Sequence, residues 1–485
     1  MSVQQLDPPA KPATAVPGRT PAVIRLLVLA TFVVILNETI MINAIPPLMD
    51  ALHITEGTAQ WLSTAFMLTM AAVIPVTGWF LQRVSTRKAY ATAMGLFLAG
   101  TALAALAPTF EVLLGARIIQ ASGTAVMMPL LMTTLMQVVP ESDRGRVMGN
   151  VTLAISVAPA MGPAVSGVIL QFGSWRLLFA VVLPIAALIT WRGLAQLKNV
   201  GEPQAGTIDW FSVVTAAAGF GGLVYGLSRF EGGDAGLAAA IVTAGLLAIG
   251  VFVVRQLSLQ KRGTPLMDLR TLRHRTYTVS LILMSVAFMA MLGSMILLPL
   301  YLQNVRELSA LQTGLLVMPG GLAMGLLGPT VGRLFDRFGG RVLVIPGAIG
   351  IMLALAGFTQ VSMTTPFWLL LGLHALLMVS LAGTFTPVFT LGLGAVPPSL
   401  YSHGSSILST LQQVAAAFGT ALVITVMSAR AEAVKAAGAT EALAALDGMR
   451  LAFIVGAVLS VGVVITALLL PARAAGGGDT PGFGH

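Results

Sequence analysis

Apolar residues fill most of the chain in long runs, and short polar stretches separate these runs. Fourteen runs are about 20 residues or longer, the length that an α-helix needs to cross a hydrocarbon core of roughly 30 Å. The predicted spans are about 23–46, 59–81, 89–108, 112–138, 146–171, 175–197, 209–229, 236–257, 277–303, 311–332, 341–361, 366–395, 404–430 and 449–471. The Pro-rich residues 1–21 and the Gly-rich residues 472–485 are predicted to be disordered tails.

The composition agrees with a membrane protein and excludes several other classes. Charged residues make up only 9% of the 485 positions, whereas a soluble domain carries roughly 25%. So much apolar surface could not be buried in one water-soluble core, which excludes a cytosolic enzyme, a secreted domain and a disordered chain. The chain has no Cys, so disulfides, thiolate nucleophiles, Cys zinc sites and iron–sulfur clusters are excluded. The spans hold no metal-ligand cluster or paired catalytic carboxylates, and no enzyme activity is expected.

Lys and Arg residues are distributed unevenly between the two sides of the predicted membrane. Twenty lie on the side of the N-terminus, and six lie on the other side: Arg176, Arg229, Arg306, Arg430, Lys435 and Arg450. Because cytoplasmic loops are enriched in Lys and Arg, both tails are predicted to be cytoplasmic, which needs an even number of spans. The net charge of +9 is then a topology signal, and no nucleic-acid partner is expected. Arg outnumbers Lys 22 to 5 and Ala is abundant, which indicates a GC-rich bacterial genome, so the expected location is the bacterial inner (plasma) membrane.

An internal repeat divides the chain. The segments Gly78–Lys88 and Gly332–Arg341 both place a Gly, an amide or acid, an Arg and a basic cluster at the same spacing. The starts of spans 6 and 14, Trp175–Phe179 and Met449–Phe453, match at the same offset of eight spans. Chance similarity of short Arg-rich loops is the alternative. The simpler interpretation is two six-helix halves, 22–200 and 276–471, with two inserted helices in 205–260 and a basic linker in 261–275. Repeated helical halves are typical of secondary transporters.

Four motifs carry a resemblance to a known family. The loop Gly332–Arg341 resembles the signature loop of the major facilitator superfamily, and Leu113-x-x-x-Arg117-x-x-Gln120-Ala-x-Gly123 resembles its fourth-helix motif. The segment from Ala158 to Gly167 resembles the antiporter motif. Leu36–Pro46 is similar to the first-helix motif of the fourteen-helix drug:proton antiporters. The resemblance covers the whole chain and implies a major-facilitator-type fold with 14 helices as two six-helix halves plus two inserted helices.

Two departures from the family pattern bear on function. Gln82 stands where the family usually has Asp in the N-terminal signature loop. The family's first-helix Asp corresponds to Asn37, and the carboxylate follows one residue later as Glu38. One residue is about 100° of helix rotation, so Glu38 can replace that Asp only if the local register or rotamer compensates.

Glu38 is the only acidic residue predicted deep inside a span, and Arg117 is the only basic one. A carboxylate there is costly and should face a cavity, where it can take up a proton. We expect Glu38 to be the main proton-coupling site, with Arg117 as its partner directly or through water. The alternatives are a structural Glu hydrogen-bonded to a neighbouring helix and a static ion pair that only packs the helices. His374, the only mid-span His, is either a packing residue or a proton relay.

Small residues and one charged loop predict how helices meet. Gly162, Pro163 and Gly167 should put a kink and a small face in span 5, similar to the family's antiporter seam. Gly321, Gly325, Gly328 and Gly332 form a similar face on span 10. The charged loop is either an ordinary positive-inside loop or, as the resemblance implies, a charge latch between the halves. Its residues are Gly332, Asp336, Arg337 and Arg341. Since Gln82 lacks the matching charge, the C-terminal latch should dominate.

The leading hypothesis is a proton-coupled exporter of amphipathic drugs or antibiotics that works by alternating access. Asn43, Trp61, Gln412 and Gln413 are candidate polar lining of the substrate cavity, and the many Met and Phe residues suit an adaptable apolar one. A Gly-rich phosphate-binding loop with its Lys is missing, so a proton gradient is the expected energy source and no cofactor is expected. The expected partners are small substrates, protons and membrane lipid, and the expected state is a monomer. The alternatives are a dedicated exporter of one lipid, siderophore or biosynthetic metabolite, and a non-transporting membrane receptor or scaffold.

Overall fold

The computed structural model describes residues 20–41, 44–200, 203–230 and 235–471. Its regular elements in these ranges are helices. They are α1 (Ala22–Ile40), α2 (Ile45–Leu52), α3 (Glu56–Arg83), α4 (Thr86–Leu106), α5 (Phe110–Val138), α6 (Arg144–Gln171), α7 (Arg176–Gln196), α8 (Trp210–Ala216), α9 (Gly222–Phe230), α10 (Ala235–Gln260), α11 (Arg275–Leu300), α12 (Ala310–Phe338), α13 (Arg341–Phe358), α14 (Phe367–Gly394), α15 (Tyr401–Ala436) and α16 (Glu441–Leu468). π-Helical turns at Ala217–Gly221 and Tyr301–Val305 join α8 to α9 and extend α11.

The number of membrane-crossing segments agrees with the sequence prediction. Thirteen helical segments of the described chain are long and apolar enough to cross a membrane. The bent helix α6 is the fourteenth, with a bend of 40° between Gly162 and Ala164. The kink predicted at Pro163 is therefore present. Nearly all of the two predicted tails lies outside the described residues.

The first span differs from the prediction, because its helix is interrupted. The apolar run 23–46 predicted one helix, but α1 ends at Ile40 and α2 starts at Ile45 with proline in its first turn. Proline lacks a backbone N–H and is favoured in the first turn of a helix, so Pro46 and Pro47 suit the start of a new helix here. Glu38 consequently lies in the last turn of α1.

The last two helices are longer than predicted. The predicted loop 431–448 is mostly helical, since α15 continues to Ala436 and α16 begins at Glu441. The intervening segment is rich in Ala, which favours helix even outside a membrane. The turn is made at Gly438, whose φ of +92° suits glycine. An ion pair between Arg430 and Asp447 (2.6 Å) holds the two helices together above the turn.

The helices pack in two groups and a pair. α1 and α3–α7 contact one another, and α11–α16 form a second group. The groups meet where α6 packs on α12 and where α3 packs on α15. The segment α8–α9 packs on α10, and this pair lies against α3 and α15. We call it the inserted pair, and we call the side of the molecule that carries Arg83, Arg144 and Arg337 the basic side.

A polar network closes the inserted pair on the basic side. Asp209 caps α8 by accepting from Ser212 N (3.2 Å), and it accepts two hydrogen bonds from the Arg255 guanidinium at 2.8 and 3.0 Å. The fully buried Gln256 donates to Ser212 Oγ (2.7 Å) and accepts from Leu266 N (2.7 Å). The network thus joins α8 to α10 and fixes the chain that leads into α11. The sequence analysis did not identify any of these residues.

Replacement of Asp209 by Ala should lower the thermal unfolding midpoint in detergent, because α8 loses its cap and Arg255 loses its partner. Loss of a cap alone costs about 1 kcal/mol. Hydrogen bonding from Arg255 lowers the pKa of the Asp209 carboxyl to about 2. The stabilisation should therefore be complete above the ordinary pKa of 3.8 and should disappear as the pH falls towards 2. Glu441→Ala, which removes an exposed pair with Lys435 at 3.7 Å, is the control, and an equal loss there would contradict the assignment.

Candidate functional site

Glu38 and Arg117 face each other between α1 and α5 without touching. Glu38 is partly accessible, whereas Arg117 is 2% exposed. Their opposite charges attract each other, but the ion pairs in the described ranges do not include them. A direct ion pair would hold the carboxylate ionised. Glu38 and Arg117 lack such a pair in the described ranges.

Arg117 is held by neighbours that the sequence analysis did not identify as its partners. Its guanidinium lies 4.1 Å from the ring centre of Phe66 on α3, a cation–π contact. It donates a hydrogen bond to Gln120 Oε1, and Gln120 Nε2 donates to Thr101 Oγ1 on α4 at 2.8 Å. Gln120 was visible in the fourth-helix motif, and its spacing of three residues from Arg117 was the available signal for this contact. Thr101 and Phe66 gave no such signal.

Asn37 and Glu38 point in different directions. Asn37 is 1% exposed, and neither atom of its amide has a hydrogen-bond partner in the described structure. Glu38, about 100° further round the helix, keeps part of its surface accessible. The shift of the carboxylate from the family position thus moves it off the buried face of α1 occupied by Asn37.

The two glycines of the antiporter-like motif have different surroundings. A Cβ atom on Gly162 would lie 2.3 Å from Thr39 Oγ1 and 2.7 Å from Thr39 Cβ. A Cβ atom on Gly167 would meet nothing within 4 Å. Gly162 is therefore required for close packing of α6 on α1, whereas the position of Gly167 has room for a side chain.

Glycines also bring α6 and α12 into backbone contact at the basic side. A Cβ atom on Gly149 would lie 2.2 Å from Gly328 O, and one on Gly332 would lie 2.1 Å from Gly145 O. Gly321 and Gly325 continue this line further along α12, towards Ala160 and Val157. Such close approach of two helices is possible only with small residues at the interface. We call this interface the glycine seam.

Asp336 closes the glycine seam at its end. Its carboxylate accepts hydrogen bonds from Gly145 N and Arg146 N, both at 2.8 Å. These N–H groups belong to the first turn of α6, where the helix dipole favours a negative charge. Arg337 and Arg341 are exposed, and the ion pairs of the described chain do not include them. The contact across the seam is thus made by the carboxylate and a helix N-terminus.

Gln82 makes the corresponding contact between α3 and α15. Here the side chain donates the hydrogen bond, whereas Asp336 accepts. Its Nε2 donates to Ser399 O just before α15, at 2.8 Å. Nearby, Ser406 Oγ donates to Ile74 O at 2.7 Å. The two groups of helices are therefore joined at the basic side by α6–α12 and by α3–α15, and the corresponding residues differ by eight spans, as the repeat predicts.

The remaining candidates are dispersed. His374 is 3% exposed, and its Nε2 is within hydrogen-bond distance of Val317 O on α12, at 3.1 Å. Trp61 packs against Tyr225 of the inserted pair, with ring centres 5.8 Å apart. Gln412 has a buried Nε2 without a hydrogen-bond partner in the described structure, and Gln413 beside it is half-buried. Asn43 lies outside the described residues.

Comparison with known proteins agrees with this architecture. The family model of the Major Facilitator Superfamily matches residues 27–420, and the chain therefore belongs to that superfamily. The chain is similar to the uncharacterised MFS-type transporter YcnB of Bacillus subtilis strain 168, with 39% identity over 92% of this chain and 93% of that protein. It is 38% identical to the lincomycin resistance protein LmrB of Listeria innocua serovar 6a, over 93% and 97% of the two chains.

A solved structure shows the same fold at low sequence identity. The human organic anion transporter MFSD10 superposes with a TM-score of 0.66 over 92% of this chain and 100% of that chain, at 15% identity. This likeness concerns the fold alone. The chain is a multi-pass membrane protein of a transporter superfamily.

Gly149→Ala should push α6 and α12 apart at the basic side, because the added methyl group would collide with the Gly328 carbonyl. Because the chain has no Cys, spin labels can be attached at Arg146→Cys and Arg333→Cys without labelling any other position. The distance distribution between these labels, measured by electron paramagnetic resonance, should shift to longer values. Gly95→Ala, where a Cβ meets nothing within 4 Å, is the matched control. An unchanged distribution in Gly149→Ala would contradict the glycine seam.

Proposed function

We propose that the protein is a proton-coupled exporter of amphipathic drugs or antibiotics. The observation that carries this proposal is the Glu38 carboxylate, which lies partly accessible within the first group of helices and faces a buried Arg117 that it does not contact. A carboxylate in such a position can bind and release a proton without breaking a direct ion pair. The similarity to a lincomycin resistance protein supports an antibiotic as the exported substrate.

The basic side is, in this proposal, the cytoplasmic side of a bacterial plasma membrane, with both termini inside. Residues 22–200 and 276–471 act as the two moving halves, and 261–275 links them. The hydrogen bonds across α6–α12 and α3–α15 lie at the basic side. In this proposal the structure corresponds to the state that is closed to the cytoplasm.

The transport cycle follows from this orientation. A proton from outside binds Glu38 and weakens its attraction to Arg117, after which the halves rock and open the basic side. The proton leaves to the cytoplasm as substrate binds, and the return movement releases substrate outside. The protein works as a monomer with no cofactor, and one proton moving through 100 mV supplies about 2.3 kcal/mol.

Glu38→Gln should abolish substrate export driven by a pH gradient, because an amide cannot carry the proton. Purified protein in liposomes with an imposed gradient would be tested with lincomycin, lipophilic cations and neutral antibiotics. Exchange of labelled for unlabelled substrate, which needs no net proton movement, should persist in Glu38→Gln. Glu441→Gln, an exposed glutamate at the start of α16, is the matched control and should behave as wild type.

Full gradient-driven export by Glu38→Gln would contradict the assignment of the proton site. Export of a single compound out of a broad panel would favour a dedicated exporter. Substrate binding with neither export nor exchange would contradict transport and favour a receptor.

Asp336→Asn should slow export by roughly tenfold, because the amide group cannot accept from both backbone N–H groups and lacks the charge that the helix N-terminus favours. Gln82→Ala removes only one hydrogen bond to a carbonyl and should have a smaller effect. Initial export rates at equal protein amounts would be compared. An equal or larger loss in Gln82→Ala would contradict a dominant C-terminal latch.

A further inference from the structure

Thr39 lies directly after Glu38 and connects it to α6. The Thr39 hydroxyl donates to Leu36 O in its own helix (3.0 Å) and lies 3.5 Å from Ala158 O on α6. It therefore holds the last turn of α1 against the backbone of α6. Thr39, the residue that follows Glu38, is thus in close contact with α6.

The contact falls at the bend of α6. The 40° bend lies between Gly162 and Ala164, and Gly162 is the residue whose missing side chain makes room for Thr39. A bend interrupts the regular hydrogen bonding of a helix, so a small push there changes the angle between its two parts. A displacement of Thr39 would thus change the angle of α6 more readily at the bend than a similar displacement would at a straight part of the helix.

The other end of α6 carries the contact that closes the basic side. Its first turn donates to Asp336, and Gly145 and Gly149 form the glycine seam with α12. One helix therefore touches the residue next to Glu38 near its bend and makes the closed contact with Asp336 in its first turn.

We propose that Thr39 is a positioning residue that transmits the protonation state of Glu38 to the bend of α6 and so to the glycine seam. This inference rests on the proposed function, in which Glu38 carries the proton. An ionised Glu38 is drawn towards Arg117 on α5, and a protonated one is not. The difference moves the last turn of α1, and Thr39 passes that movement to Gly162.

Few charged groups act on this site. Arg117 on α5 is the charged group whose field reaches Glu38 in the described chain. The helices α6 and α7 also pack on α1, and their Arg residues lie at or near the helix ends, at Arg144, Arg146, Arg176 and Arg192. The Asp336 carboxylate on α12 also contacts the first turn of α6, so only the part of a pH response that Glu38→Gln abolishes is assigned to Glu38.

The test follows the distance between spin labels at Arg146→Cys and Arg333→Cys as the pH is changed without substrate. In the parent protein the distribution should change with pH, and Glu38→Gln should abolish that change. Gly162→Ala, which collides with Thr39, should also abolish it and slow export about tenfold. Gly167→Ala, with no neighbour in reach, should leave both the pH response and export unchanged.

Two further variants separate positioning from simple packing. Thr39→Ser keeps the hydroxyl oxygen and should retain the pH response. Thr39→Ala removes the hydroxyl that lies against Ala158 O and should abolish the response, although Glu38 is intact. Loss of export in Gly162→Ala with an intact pH response would overturn the inference, because the glycine would then serve packing alone.

The outcomes also distinguish this inference from the proposed function. If Glu38→Gln retains the pH response, the response comes from another group such as Asp336 and the inference is refuted. Gradient-driven export by Glu38→Gln separately decides whether the proton site of the proposed function is wrong. If Glu38→Gln abolishes the response and Gly162→Ala retains it, the proton site stands and the role of Thr39 is refuted.

Discussion

A charged group inside a hydrocarbon layer must be neutralised or solvated by the protein around it, and this constraint governs the centre of the first helix group. Arg117 satisfies this constraint through its hydrogen bond to Gln120 and its cation–π contact with the Phe66 ring. Glu38 lies apart and keeps some accessible surface. The different surroundings of the two charged groups affect which of them can change its charge. A guanidinium that is anchored independently remains a fixed positive charge, and the carboxylate opposite it can change its state.

The second constraint is steric, and it concerns α6. Gly162 lets this helix approach α1, and Gly145 and Gly149 let it approach α12, because a Cβ atom at any of these positions would overlap the opposing chain. Interfaces of this kind have few intermediate positions, since close packing is lost as soon as the helices separate slightly. The Asp336 carboxylate adds a charged hydrogen-bonded contact at the place where the seam ends. Together these features suit a helix that alternates between two packed arrangements.

The sequence predicted the membrane spans well because hydrophobic length is a local property. It failed at Pro46, where an apolar run hid a helix break, and beyond Arg430, where Ala-rich helices continue past the predicted span. It identified Glu38 and Arg117, because charges inside spans stand out. It missed Thr101 and Phe66 and could not separate Gly162 from Gly167, because those differences depend on which helices meet in space. The offset of eight spans could be predicted from the sequence. That Gln82 donates a hydrogen bond where Asp336 accepts could be seen only in the structure.

The central claim is that Glu38 carries the exchanged proton. The most direct measurement is proton release from the purified protein in weakly buffered detergent when an exported substrate is added, followed with a pH-sensitive dye. The account predicts release by the wild-type protein and none by Glu38→Gln, with substrate binding retained in both. Equal release by the two proteins would contradict it and would assign the proton to another group.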